Sequence, residues 1–300
     1  MVDSKFLNEF CEKFGYPKEA EETLNKTLLK LNGTEAEKEL QYYIDLYNND
    51  NLPETNDFLK DFTAIAEKVK VSEWSLRLLY LISLVPHLRE LYKAKNIPLE
   101  ICENTVADLK YKMIECFKVK KVYGIFVDWW DIGFFRMKRF GLGRCQFELF
   151  KSPIDYHENG FNINTGDKVV ELHVPSSGPL IREEYLESYR RAAEFFKDEF
   201  YSEVIFFAES WLLYPEKEKF LKPTSNIFAF ANDFNIAKVI IDEKGEDLWR
   251  IFDTEELPEN LDELPEETSM QKSIKKYLKD GNYFGLGLGF FAYKDGKIIR

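Results

Sequence analysis

The sequence is poor in the residues that build metal and disulfide sites: four Cys and three His among 300 residues. Cys11, Cys102, Cys116 and Cys145 lie far apart and form no CxxC. That excludes a disulfide-dense scaffold and predicts reduced thiols in a cytoplasmic protein. His87, His157 and His173 share no ligand spacing, and HExxH is absent, so no metal is expected. No apolar run approaches the roughly 18–20 residues of a membrane span. The opening residues, MVDSKFLNEF, lack a basic region followed by an apolar one, so no secretory signal is expected. There is no GxGxxG fingerprint, no GxSxG elbow and no internal repeat. Positive charge is also short, with 41 basic against 53 acidic side chains and a net charge of −12. A general nucleic-acid binder needs clustered Lys and Arg, so that class is excluded.

What is abundant is aromatic: 26 Phe and 16 Tyr, within 45% apolar residues. This is the composition of a folded chain with a sizeable core. The charge is uneven. Eight acids and no base fall between Asp253 and Glu267, whereas residues 110–144 hold nine bases against three acids. An acidic protein can therefore still offer an anionic small molecule a positive neighbourhood.

Residues 1–120 read as helices. Asp3 caps the first and Gly15 ends it, Pro17 precedes the second, and Thr34-x-x-Glu37 forms a capping box for the third. A strongly apolar helix after Ser72 is predicted to run up to Pro86 at the centre of a bundle. Beyond residue 120 the pattern changes to short strands at 143–150, 161–163, 168–174, 203–209, 226–230, 238–241 and 283–293. Helices are predicted at 182–196, 215–222 and 269–280. The fold class is α+β: a helical N-terminal domain, 1–120, and a mixed α/β domain, 121–300.

Four segments carry candidate chemistry. VVELHVPSSGPL, 169–180, is a strand running into a turn that opens a helix, where Ser176, Ser177 and Gly178 can cradle an anion. Pro175 and Pro179 lack N–H groups, and Glu183 and Glu184 oppose an anion, so a plain strand-to-helix turn is the alternative. In FFAESWLLYP, 206–215, Glu209 is a candidate base, Tyr214 a proton donor, and Ser210 and Trp211 pocket residues; the alternative is a core Trp beside a capped turn. Gly285, Gly287 and Gly289 share one face of a strand, which permits close approach by backbone, helix or ligand. In GLGRCQFELF, 141–150, Arg144 is placed to pair with a phosphate or carboxylate, or with a surface acid. His173 is either a hydrogen-bonded core residue or a base.

Taken together, LGRCQFELF (142–150), LHVPSSGPL (172–180), ESWLLYP (209–215), SNIFAF (225–230) and ELPEETSMQKSI (263–274) resemble a bacterial acyltransferase family. Its members pair a helical N-terminal domain with a C-terminal domain of the GNAT (N-acetyltransferase) fold. SEWSLRLLYLISL, at residues 72–84, is the matching stretch of the helical part. The resemblance implies acetyl-CoA or another acyl-CoA as co-substrate, bound where two central parallel strands splay, and a small-molecule amine or peptide-like acceptor. It implies His173 or Glu209 as base, Tyr214 as acid, and Val174 backbone near the thioester carbonyl. The pyrophosphate would meet Ser176–Gly178 with Arg144 nearby, and Trp211, Ser210 and Asn226 would line the acceptor pocket. The phosphate turn reads Pro-Ser-Ser-Gly-Pro where the family of folds usually has (Gln/Arg)-x-x-Gly-x-(Gly/Ala). The competing expectations are a non-catalytic GNAT-like binding module and, last, a hydrolase using Ser210 or Ser177.

Overall fold

The computed structural model of the chain describes residues 1–245 and 247–300. It resolves into two compact units, Met1–Phe140 and Gly141–Arg300.

The first unit is helical: α1 (Ser4–Phe14), α2 (Lys18–Leu31), α3 (Glu35–Asn48), α4 (Asp61–Val69), α5 (Glu73–Ala94), α6 (Leu99–Val106), α7 (Asp108–Lys120) and α8 (Asp128–Phe135). The caps act as the sequence predicts. The Phe6 N–H donates to Asp3 Oδ1 at 2.8 Å, Gly15 takes φ +65°, and the Glu37 N–H donates to Thr34 Oγ1 at 3.2 Å. Helix α5 is buried on most sides and forms the centre of the unit. It does not stop at Pro86 but continues to Ala94. Leu88 and Tyr92, both fully buried beyond the proline, hold the helix together. Their burial offsets the roughly 3 kcal/mol that an internal proline costs.

This unit extends past the compositional boundary near residue 120. The Ile125 N–H donates to Trp74 O at 3.0 Å, and Asp128 Oδ2 meets Arg77 Nη1 at 2.8 Å. A Cβ on Gly124 would lie 2.4 Å from the Trp74 carbonyl carbon, so only glycine lets that crossing close. Among the described residues no helix is long and apolar enough to cross a membrane.

The boundary between units falls inside the short strand β1 (Arg139–Gly141). The second unit then contains β2 (Gln146–Lys151), β3 (Lys168–His173), α9 (Arg182–Phe196), β4 (Val204–Ser210), α10 (Asn226–Ala231), β5 (Asn235–Asp242), α11 (Trp249–Phe252), α12 (Ser269–Lys279), β6 (Phe284–Lys294) and β7 (Lys297–Ile299). Its strands run in the order β2-β3-β4-β6-β5, with β7 on β6. Only β3 and β4 are parallel; the other described pairs of this series are antiparallel.

Helix α9 covers one face through Tyr189, whose ring lies 4.8 Å from Phe291 and 6.0 Å from Phe206. The opposite face carries Phe207, Val169, Leu288 and Phe290 under Tyr156 and Ile163. The glycine face of β6 proves to be a packing device. A Cβ on Gly287 would meet Leu213 O at 2.4 Å, and one on Gly285 the Tyr214 ring at 2.5 Å. Two strand expectations and one helix expectation differ. Residues 226–230 form helix α10 after Ser225, because its apolar residues pack inward from one turn, with the Phe230 ring 5.5 Å from Tyr185. The 161–163 strand reduces to a single bridge, Tyr156 to Ile163. The 215–222 helix is a short 3-10 turn, Pro215–Lys219.

Candidate active site at the end of the parallel strands

Strands β3 and β4 are adjacent and parallel, registered at Val170 with Phe206 and Glu171 with Phe207. The ladder stops there, although β4 continues to Ser210. Strand β3 runs on to His173 paired with β2 but no longer with β4, so the ladder opens at the C-terminal ends of the one parallel pair among the described strands. Ligand sites in mixed sheets form where such strands diverge.

The strand period of two decides which side chains border the opening. Val170 and Leu172 share the α9 face with Phe206. Glu171 and His173 share the other face with Phe207 and Glu209. Strand β2 adds to that face, since Gln146 is registered with His173 and Glu148 with Glu171. His173 Nε2 lies 2.9 Å from Glu148 Oε1 and 3.8 Å from Glu171 Oε2. All three side chains are half-buried. A carboxylate only accepts, so in the neutral ring Nε2 carries the proton and the basic lone pair sits on Nδ1. Two carboxylates across one register repel each other, and an imidazolium between them relieves that repulsion.

The same three residues are the one group among the described residues whose donor atoms lie close enough, within 4.8 Å, to hold a metal ion. One imidazole and two carboxylates suit a zinc-like ion chemically. No motif spacing reveals this group, because Glu148 arrives through strand register and not through sequence proximity.

Glu209 lies at the exposed end of β4 on the same face as His173. Partial burial and then Asp247 hold its carboxyl above the usual range, with Lys238 pulling the other way. Tyr214 is not a free acid at the opening. It is buried, and its hydroxyl donates to Tyr283 O at 3.3 Å within a second core that also holds Phe284 and Tyr277. Trp211 packs on that core, its ring 5.9 Å from Phe284. Ser210 is spent on a cap, with the Leu212 N–H donating to its Oγ at 3.2 Å. Asn226 is exposed at the first residue of α10.

The turn after β3 begins at Val174 and includes exposed Ser176 and Gly178, with Ser177 half-buried. Gly178 has φ +133°, a conformation that favours glycine. Helix α9 starts at Arg182, and Ile181 before it supplies no side-chain cap to the first N–H groups. Arg144 does not project into solvent as a phosphate hook. Its guanidinium is bonded to the turn itself: Nη1 to Pro175 O at 3.0 Å and Ser177 Oγ at 3.2 Å, Nε to Pro179 O at 3.0 Å, and Nη2 to Gly178 O.

Three other bases of the 110–144 stretch are engaged as well. Arg139 stacks 3.3 Å from the Trp130 ring centroid, Arg136 donates to Thr55 O at 3.3 Å, and Lys112 pairs with Glu115 at 3.1 Å. Lys112, Arg136 and Arg139 are therefore used within their own unit. Arg182, which the sequence reading passed over, opens α9 and holds Asp233 at 3.2 Å and the Tyr185 hydroxyl at 2.7 Å.

Residues 140–291 match the GNAT-like C-terminal domain, and residues 5–137 match the N-acyltransferase N-terminal domain. No curated protein matches the chain. Among solved structures, the chain is similar to an acyltransferase in complex with decanoyl-CoA and teicoplanin. That match has 20% identity and a TM-score of 0.72 over 98% of this chain and 87% of the other. It is similar also to an acyltransferase mutant in complex with octanoyl-CoA, with 21% identity and a TM-score of 0.72 over 94% and 86% of the two chains. A third is an acyltransferase in complex with CoA and 10C-teicoplanin, at 20% identity and a TM-score of 0.72 over 94% and 86%.

Proposed function

The chain belongs to the family of the GNAT-like C-terminal domain, and from that premise we propose that it is an acyl-CoA-dependent N-acyltransferase. The observation that carries the proposal is the parallel β3–β4 ladder that ends at Glu171 and Phe207, with His173 set against Glu148 beside the gap.

In this reading the pantetheine arm enters between the diverging strands. Its thioester carbonyl faces backbone N–H groups near Val174, which stabilise the oxyanion as it forms. His173 takes a proton from the acceptor ammonium or from the attacking amine, and Glu148 and Glu171 stabilise the resulting imidazolium. The amine nitrogen bonds to the carbonyl carbon, the C–S bond breaks, and CoA leaves as a thiolate. A thiol with a pKa near 8.5 leaves without a dedicated acid, so the burial of Tyr214 does not obstruct the step. The pyrophosphate meets the N–H groups of the Ser176–Gly178 turn and the uncapped start of α9. Ser210 at the end of β4, with Trp211 and Asn226 beyond it, are the residues proposed for the acceptor side.

The acceptor is a primary amine on a small or peptide-like molecule. Support for that class comes from the similar structures, of which two hold a teicoplanin. Glu183 and Glu184 in the first turn of α9 favour the second reading, a GNAT-like module that binds another ligand. Calorimetry with acetyl-, octanoyl- and decanoyl-CoA, followed by thiol release with a panel of amines, separates the two. The expected result is binding and acceptor-dependent release of CoA. An absence of binding to all three at high micromolar protein overturns the proposal.

A further inference from the structure

The phosphate turn has two prolines, and the usual glycine pattern is missing. It nevertheless has to present N–H groups outward if it is to meet a pyrophosphate. We infer that Arg144 is a positioning residue that shapes this turn from behind, and that without it the turn loses its grip on the diphosphate. The inference rests on the acyl-CoA reading above.

The geometry is specific. Four guanidinium contacts end on four consecutive or near-consecutive acceptors: Pro175 O, Ser177 Oγ, Gly178 O and Pro179 O. A trans peptide points its N–H opposite to its C=O. Drawing the Pro175 carbonyl towards Arg144 therefore turns the Ser176 N–H away from it, and drawing the Pro179 carbonyl does the same for the Leu180 N–H. Among the described residues, no backbone acceptor outside the regular elements takes the N–H of Ser176, Ser177, Gly178 or Leu180. The Ser176 and Leu180 N–H groups then point away from Arg144. A planar fork suits this task, because it can meet several carbonyls at fixed angles, whereas an ammonium on a flexible stem cannot.

Arg144 is itself held on the helix it serves. Its N–H donates to Ser188 Oγ at 2.7 Å, the Cys145 N–H donates to the same oxygen at 3.3 Å, and that hydroxyl donates to Glu184 O at 3.0 Å. Gly143, at φ +96°, makes the approach possible, since a Cβ there would lie 2.7 Å from Ser188 Oγ. The two sequence segments GLGR and PSSGP thus form one unit: the first supplies a clamp and the second the surface it shapes.

The test compares acetyl-CoA with acetyl-pantetheine, which carries the same thioester without the diphosphate. In the native chain kcat/KM favours acetyl-CoA. In Arg144→Ala that preference is expected to fall about tenfold or more, mostly through KM, the scale of one lost hydrogen bond to a charged group. Millimolar guanidinium is expected to restore part of it. Arg144→Lys keeps the charge and is expected to show nearly the same loss. Equal losses on both substrates, or an intact preference in both variants, overturn the inference. Calorimetry with inorganic pyrophosphate and CoA gives a readout that needs no turnover. Native protein that binds pyrophosphate but transfers nothing removes the acyl-transfer reading and leaves Arg144 testable by pyrophosphate affinity. Native protein that binds neither removes both.

Discussion

Each unit gathers a group of ionisable side chains, and the two groups differ in what surrounds them. In the helical unit Asp131 is fully buried and neither of its carboxylate oxygens has a hydrogen-bond partner. Burial and then Asp108 push its carboxyl well above the usual range, while Lys112 and Arg139 oppose the shift. In the sheet unit Glu148, Glu171 and His173 are only half-buried and lie beside the end of a parallel ladder. The strongly perturbed Asp131 carboxyl is wholly buried within the helical unit. Perturbation alone therefore does not choose the candidate site, and the proposal rests on the break in the sheet.

That contrast can be broken experimentally. The largest effect is expected from His173→Ala, with a loss of about 10²–10⁴ in kcat and little change in acyl-CoA affinity or thermal midpoint. If turnover survives, the half-buried group is structural like its counterpart. Glu148→Gln comes next, with kcat reduced about tenfold and KM held, because an amide no longer stabilises the imidazolium as a carboxylate does.

Asp131→Asn sharpens the other side of the comparison. A carboxyl whose folded pKa is raised contributes stability below its unfolded pKa and loses it as pH rises through the folded value. The asparagine variant is therefore expected to gain about 1 kcal/mol or more over native protein at pH 8 in denaturant melts. The gap should close towards pH 4, with kcat unaffected throughout. A variant less stable at pH 8 would show that the charge is needed by Lys112 and Arg139. The smallest effect is expected for Glu209→Gln, a change within about threefold in turnover, because the proposed mechanism gives the proton to His173 and not to Glu209. A loss as large as that of His173→Ala would exchange their roles.

Much of the fold was legible in local pattern. Asp3, Gly15, Thr34 and the Thr268–Gln271 capping box set helix ends through contacts a few residues apart. The β3-turn-α9 unit and the glycine face of β6 were legible for the same reason, since strand period and turn residues act locally. What escaped depended on partners far along the chain. Pro86 reads as a helix stop until the buried Leu88 and Tyr92 outweigh it. SNIFAF reads as a strand until Phe230 finds Tyr185. Tyr214 reads as an acid at a strand end until its buried hydroxyl donates a hydrogen bond to the Tyr283 carbonyl.

The sequence by itself determined the α+β class, the capped helices of the first unit and the strand-turn-helix of residues 168–196. These follow from periodicity, capping and turn chemistry, which operate over a few residues. Only the tertiary structure decided that β3 and β4 part after two registered positions, and that Glu148 and Glu171 flank His173. It alone turned Arg144 from a surface cation into a clamp behind the turn. Strand register and guanidinium geometry are fixed by burial across the sheet, and no spacing along the chain encodes them.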